Sequence, residues 1–304
     1  MKVFLLSLIF LVLGAPAWAQ GNSERRMELN LPDPPMLGKH FARGGNPNGS
    51  PFKSPNMTYH GGPILPSTAA EAIFWGRQWS NSTFVGDKIT GLATFYSGVG
   101  GSNYAKTNTE YTDSGAHIVS PNVSNSSPAI IDTSTAPSNA PSTSVVLSEV
   151  CSALANNGVT PQSNGYYPVY VDTPRANAGY CAWHSWGSCG GIPVQFAFFF
   201  NLDGDPGCDP QDTSGQHSQG LAALANVSGH ELSEAMTDPR GNAWYDNSGY
   251  ENSDKCAWTF GNPLVTFTGG SRWKIQGNWS NAAYNGNSGY PSSKGQLGCI
   301  DGGP

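Results

Sequence analysis

Residues 191–201, "GIPVQFAFFFN", form an almost unbroken apolar run of strand length, and together with the helix beyond them they decide the fold. Such a run suits a strand buried on both faces, the habit of central strands in sheets covered by helices. An Asp-rich loop, "NLDGDPGCDPQD" (201–212), comes next. After it the longest helical pattern of the chain runs from about Ser214 to Met236, its inner face marked by Leu221, Leu224, Ala225, Val227, Ser228 and Leu232 and its end by Asp238-Pro239.

Working outward, "GYYPVYVDTP" (165–174) reads as a second strand and "AEAIFWG" (70–76) as the first of the chain. "STFVGDKITGLATFYSGVG" (82–100) and "STSVVLSEVCSALANNG" (142–158) read as helices that stop at glycine or Asn-Gly. Strands alternating with helices predict an α/β or α+β domain, zincin-like, with a mixed sheet, a long metal-site helix and a loop-rich C-terminal part. No internal repeat is present. Residues 59–304 are expected to form this single domain, preceded by a Pro/Gly/Asn-rich flexible arm over 20–58.

The first nineteen residues read as a secretory signal peptide. Lys2 is the positive start, Val3 to Leu13 a short apolar core, and Ala17-Trp18-Ala19 a small-x-small cleavage site. Its removal takes one lysine and leaves 285 residues with a net charge of −7. No later stretch is apolar enough for a transmembrane segment. A secreted, extracellular or periplasmic protein is expected. Charged residues make up only 12% of the chain and form no basic run, which excludes nucleic acid as an expected partner.

Six cysteines, Cys151, Cys181, Cys189, Cys208, Cys256 and Cys299, come after the leader. In an exported chain they point to three disulfides, although fifteen pairings exist. The short separation of Cys181 and Cys189 makes that pair the first expectation. No C-x-x-C pair is present, so cysteine-bound zinc is not expected.

Chemistry concentrates in "GHELSEAMTDP" (229–239), which begins like the H-E-x-x-H helix of zinc peptidases but carries glutamate in the last place. On a helix, His230 and Glu234 share a face and can reach one ion. Glu231, about 100° further round, stands where a general base belongs. Glu251 in "YENSDKC" (250–256) is the candidate third ligand, with Asp254 as an outer partner of His230 or an alternative ligand and Asp238 in a similar supporting place. Two carboxylates beside one imidazole make a hard site, so Mn²⁺ or Ca²⁺ stand beside Zn²⁺ as the divalent cofactor. His217, Arg240, Tyr245 and Tyr250 are candidate donors to a developing oxyanion. The competing reading is a polar i,i+4 helix pair with Glu231 in solvent. Two weaker patterns remain: Asp203, Asp205, Asp209 and Asp212 as a loose calcium loop or plain turns, and His184, Ser188 and Cys189 in "HSWGSCGG" as a nucleophile group.

From "MTYHGGPIL" (57–65) through "AIFWG", "VYVDTP" and the Cys181–Cys189 region, the chain resembles the secreted phosphate-induced, EXORDIUM-like family. The resemblance covers most of residues 57–300. It implies an extracellular protein linked to growth and cell-wall-associated signalling, with no established catalytic activity. A binding module would contact cell-wall carbohydrate through exposed Trp and Tyr residues, and a hydrolase would act on a peptide. The helix departs from the plant members, which have a Leu-Ala-rich helix ending in Thr-Asn-Pro where this chain has "SGHELSEAMTDP". Peptide hydrolysis with Glu231 as base and binding without catalysis are both open at this point.

Overall fold

The computed structural model describes residues 33–45, 55–125 and 128–303. The expected leader and residues 20–32 and 46–54 of the expected arm lie outside them. The strands are β1 (Leu37–Phe41), β2 (Thr58–Tyr59), β3 (Thr68–Ala70), β4 (Ile73–Trp75), β5 (Val123–Asn125), β6 (Ile130–Asp132), β7 (Gly165–Pro174), β8 (Tyr180–Cys189), β9 (Ile192–Asn201) and β10 (Trp244–Tyr245), with four further two-residue strands near the C-terminus. The helices are α1 (Ser82–Val85), α2 (Lys88–Val99), α3 (Asn103–Lys106), α4 (Thr143–Asn156), α5 (Gln219–Thr237) and α6 (Asn281–Asn285).

Eight strands form one mixed sheet in the order β1-β8-β9-β7-β3-β5, with β4 also on β7 and β6 on β4. β1, β8 and β9 pair antiparallel, whereas β9, β7, β3, β4, β5 and β6 pair parallel. β9 lies between β7 and β8 and is buried from Val194 to Phe200, as its apolar run requires. The α/β architecture with a mixed sheet matches the expectation from the sequence.

The long helix differs from a surface amphipath. Every residue of α5 from Gly220 to Thr237 is buried. It begins at Ser218, whose hydroxyl accepts the Leu221 amide at 3.2 Å and is itself held by Asp87 at 2.6 Å. It packs against β8, β9 and β1 of the sheet and against α2, and C-terminal segments such as Arg272–Trp273 also lie on it. Polar residues around the helix are therefore matched individually. Ser228 meets Tyr170 at 2.7 Å, Asn226 accepts the Gln276 amide at 2.8 Å, and Ser233 accepts from Asn278 at 3.0 Å.

Two expectations are corrected. Part of the expected flexible arm is ordered: Leu37–Phe41 is the edge strand β1, on β8, and Ser185 donates to the Pro35 carbonyl at 2.7 Å. β8 offers an open edge whose backbone groups need partners, and β1 supplies them. The disulfides are Cys151–Cys189, Cys181–Cys208 and Cys256–Cys299, with Cα separations of 5.3–5.8 Å. Cys181 and Cys189 occupy opposite ends of β8, roughly 26 Å apart at strand rise, beyond any disulfide. These bridges tie α4 to the end of β8, the start of β8 to the Asp-rich loop, and the C-terminal strand to the turn at Cys256. Three disulfides fit an oxidising, non-cytoplasmic compartment. Among the described residues no helix is long and apolar enough to cross a membrane.

One buried acid sits away from the helix. Glu149 of α4 faces Asp132 of β6, and burial together with that neighbour pushes its carboxyl up to about 8. A carboxyl whose folded value exceeds its unfolded one adds stability at low pH and loses it as pH rises from about 4.5 through 8. Glu149→Gln is expected to melt with the wild type near pH 4 and above it at pH 8. Thermal melts across that range check this; parallel curves would show that Glu149 does not titrate late.

Candidate metal centre

α5 carries His230, Glu231 and Glu234 into the interior against β8, which carries His184. His184, His230, Glu231 and Glu234 are fully buried, and Glu251 is 5% exposed. Two groups of donor atoms lie within 4.8 Å of one another, His184 with Glu231 and Glu234, and His230 with Glu234 and Asp254. Glu234 belongs to both. Its Oε1 lies 3.1 Å from His230 Nε2, while its Oε2 lies 3.7 Å from His184 Nδ1. Glu231 Oε2 is 3.3 Å from His184 Nδ1, and Asp254 Oδ1 is 3.6 Å from His230 Nε2.

The i,i+4 reading of His230 and Glu234 holds geometrically, and Glu231 is inside the protein rather than in solvent. Glu251 is placed differently from the expected third ligand. It falls in neither group and faces His184 Nε2 at 3.7 Å. Asp254 instead stands beside His230, in a 3₁₀ turn whose backbone amide donates to Glu234 Oε1 at 2.9 Å. Asp238 holds the loop beyond the helix, accepting the Asn242 and Ala243 amides at 2.7 Å each, and burial lifts its carboxyl to about 6. Three expected oxyanion donors have other partners: His217 stacks on Trp273, Tyr245 on His60, and Arg240 lies over Trp186.

His184 was not singled out as a ligand by sequence reasoning. Its signal was strand alternation: Ala182, His184 and Trp186 share one face of β8, so a lone imidazole entered the sheet's covered side. His40 of β1 was also missed. It stacks on His230 with ring centroids 4.1 Å apart, and neither of its nitrogens has a hydrogen-bond partner. The Asp-rich loop does not gather its carboxylates. Asp203 pairs with Lys88, Asp205 with Arg175 at 2.6 Å, and Asp209 and Asp212 close local turns.

The electrostatics of the cluster are unbalanced. Burial first, then mutual repulsion, pushes Glu231 and Glu251 well above the usual carboxylate range; Asp254 is raised by burial and then Glu234. Glu234 is raised mainly by burial, against the Asp254 amide. Burial lowers both His184 and His230 to about 3. The nearest buried ammonium, Lys255, is 2.8 Å from Asp246. Five donor atoms of the cluster have no hydrogen-bond partner: His184 Nε2, His230 Nε2, Glu231 Oε1, Glu234 Oε2 and Glu251 Oε1. Buried polar atoms are almost always paired, so a concentration of orphans of this type fits a bound cation. The donor set, imidazole and carboxylate without sulfur, suits a divalent ion of intermediate or hard character.

No family model matches the chain, and comparison with curated proteins and with solved structures finds no match.

Asp246→Ala strips Lys255 of its buried carboxylate, and breaking a buried pair on one side costs about 3–5 kcal/mol. A fall in melting temperature of roughly 10 °C is expected for a domain of this size; a change below about 2 °C would show that this pair does not hold the loop behind the cluster.

Proposed function

We propose that the chain is an exported, non-catalytic binding protein whose fold is locked by a divalent ion in the His/Glu cluster. The observation that carries this reading is the combination of orphaned donors with complete enclosure. His184, His230, Glu231 and Glu234 have no exposure, and β1 lies across them. Closed sites are the mark of structural ions, whereas catalytic ones keep a position open. The ion is Zn²⁺, with Mn²⁺ and Ca²⁺ as the other occupants the donors accept. What the ion supplies is positive charge among four acidic side chains, and the residues' part is to hold it. The proposed ligand is a cell-wall carbohydrate stacked on surface aromatic side chains, or a peptide. The aromatic residues that remain for this are few, since Trp183, Trp273 and Trp279 are fully buried.

A second reading, metal-dependent peptide hydrolysis, is favoured by one specific observation. Glu231 comes directly after His230 on α5 and keeps Oε1 without a partner, so it can hold a proton taken from water.

Elemental analysis and melting of the full chain test both readings. A divalent ion is expected to copurify, and its removal by chelator is expected to lower the melting temperature by about 10 °C, the effect of some 4 kcal/mol of linked binding. Unfolded protein substrates are expected to stay intact. Absence of any ion sinks the metal reading, while cleavage abolished in Glu231→Gln with the ion retained selects the hydrolase.

A further inference from the structure

The two groups of donors share Glu234, so it matters which of them holds the ion. A hydrogen on one ring decides between them. Gln276 is fixed from both ends: its Oε1 accepts the Trp258 amide at 3.2 Å, and its Nε2 donates to the Ser253 carbonyl at 2.9 Å. Turning the amide over would set oxygen against oxygen and N–H against N–H. The second hydrogen of Nε2 therefore points to His230 Nδ1 at 2.9 Å. A neutral imidazole that accepts at Nδ1 carries its hydrogen on Nε2, the nitrogen facing Glu234 and Asp254. A nitrogen bearing hydrogen has no lone pair for a cation.

The other side of the cluster has the opposite character. Glu234 Oε1 is already engaged by the Asp254 amide at 2.9 Å, which leaves Oε2 as the oxygen without a partner. Oε2 faces His184 Nδ1, and Glu231 Oε2 faces the same nitrogen. His184 Nδ1 shares a hydrogen with Glu231 Oε2 at 3.3 Å, a hydrogen that a cation between them displaces, while Glu251 Oε1, 3.7 Å from Nε2, is the acceptor then available to an Nε2 hydrogen. Above these atoms passes Gly38 with φ +46°, at a break in the pairing register between Leu37 and His40. A methyl group at Gly38 would fall 2.5 Å from His184 Nδ1 and closer still to Glu234 Oε2. No side chain fits at that point, and only glycine lets β1 pass in contact with both donors.

Building on the metal reading above, we infer that the ion is held on the strand side of the cluster, by His184 Nδ1, Glu234 Oε2 and Glu231 beneath Gly38. His230 is a positioning residue for Glu234. Glu251 orients His184. The H-E-x-x-E motif thus contributes its two glutamates as ligands and its histidine as their support, and the ligating imidazole comes from β8.

Titration of the metal-free full chain with Zn²⁺ and Mn²⁺ separates the two sides. His184→Ala and Gly38→Ala are expected to abolish saturable binding. His230→Gln is expected to keep one site per chain, weakened by about 10–100-fold as for loss of an outer partner. Where a variant fails to fold, the wild type answers by itself through its imidazole ¹H–¹⁵N spectrum. On zinc loading, His184 is expected to show a metal-bound Nδ1, while His230 keeps its hydrogen on Nε2. Binding that survives His184→Ala but not His230→Gln, or a His230 Nε2 that loses its hydrogen on loading, overturns the assignment while leaving the metal reading intact. A wild type that takes up no ion overturns both.

Discussion

Three buried carboxyl groups, Glu231, Glu234 and Glu251, and the partly exposed Asp254 gather with two buried imidazoles in two adjoining groups that share Glu234. Nothing in a dry environment tolerates that much unbalanced charge, so the groups are neutralised by protons or by a cation. The rest of the fold reads as the means of building this enclosure. The sheet provides the floor and one imidazole through β8. α5 provides two carboxylates, and the turn from Glu251 to Cys256 closes the far side under the Cys256–Cys299 bridge.

Burying a helix on all sides has a cost in polar groups that only matched partners can offset. Asn226, Ser228, Ser233 and Thr237 of α5 each meet a side chain or backbone group from outside the helix. Asn252, Asn278 and Gln276, from the loop-rich C-terminal part, supply many of them. That region is poor in regular structure because its work is to present amides and hydroxyls at particular points. A strand or helix would commit its backbone to its own ladder and leave fewer groups to spare.

The architecture was legible because apolar runs such as 191–201 and helix stops such as Asp238-Pro239 are local signals. The i,i+4 relation of His230 and Glu234 was legible for the same reason. What lay beyond reach depends on pairing between distant segments. His184 joined the site only because β8 lies against α5, and Gly38 because β1 adds to β8. Glu251 and Asp254 are three residues apart, and which one turns toward His230 is set by a 3₁₀ turn that sequence spacing does not reveal. The disulfides failed in the same way: closeness in sequence misled for Cys181 and Cys189, since an extended strand carries them apart.

β1 has a consequence for access to the cluster. Its partner strand lies some 145 residues later in the chain, so the pairing of Leu37 with His184 is among the most non-local contacts of the sheet. Closing that long loop carries the largest chain-entropy cost of any pairing in the sheet. For an ion held in the cluster, the exposed rim nearest to it is therefore the strand joined to the sheet across the longest loop, and exchange with solvent is coupled to fraying of that edge.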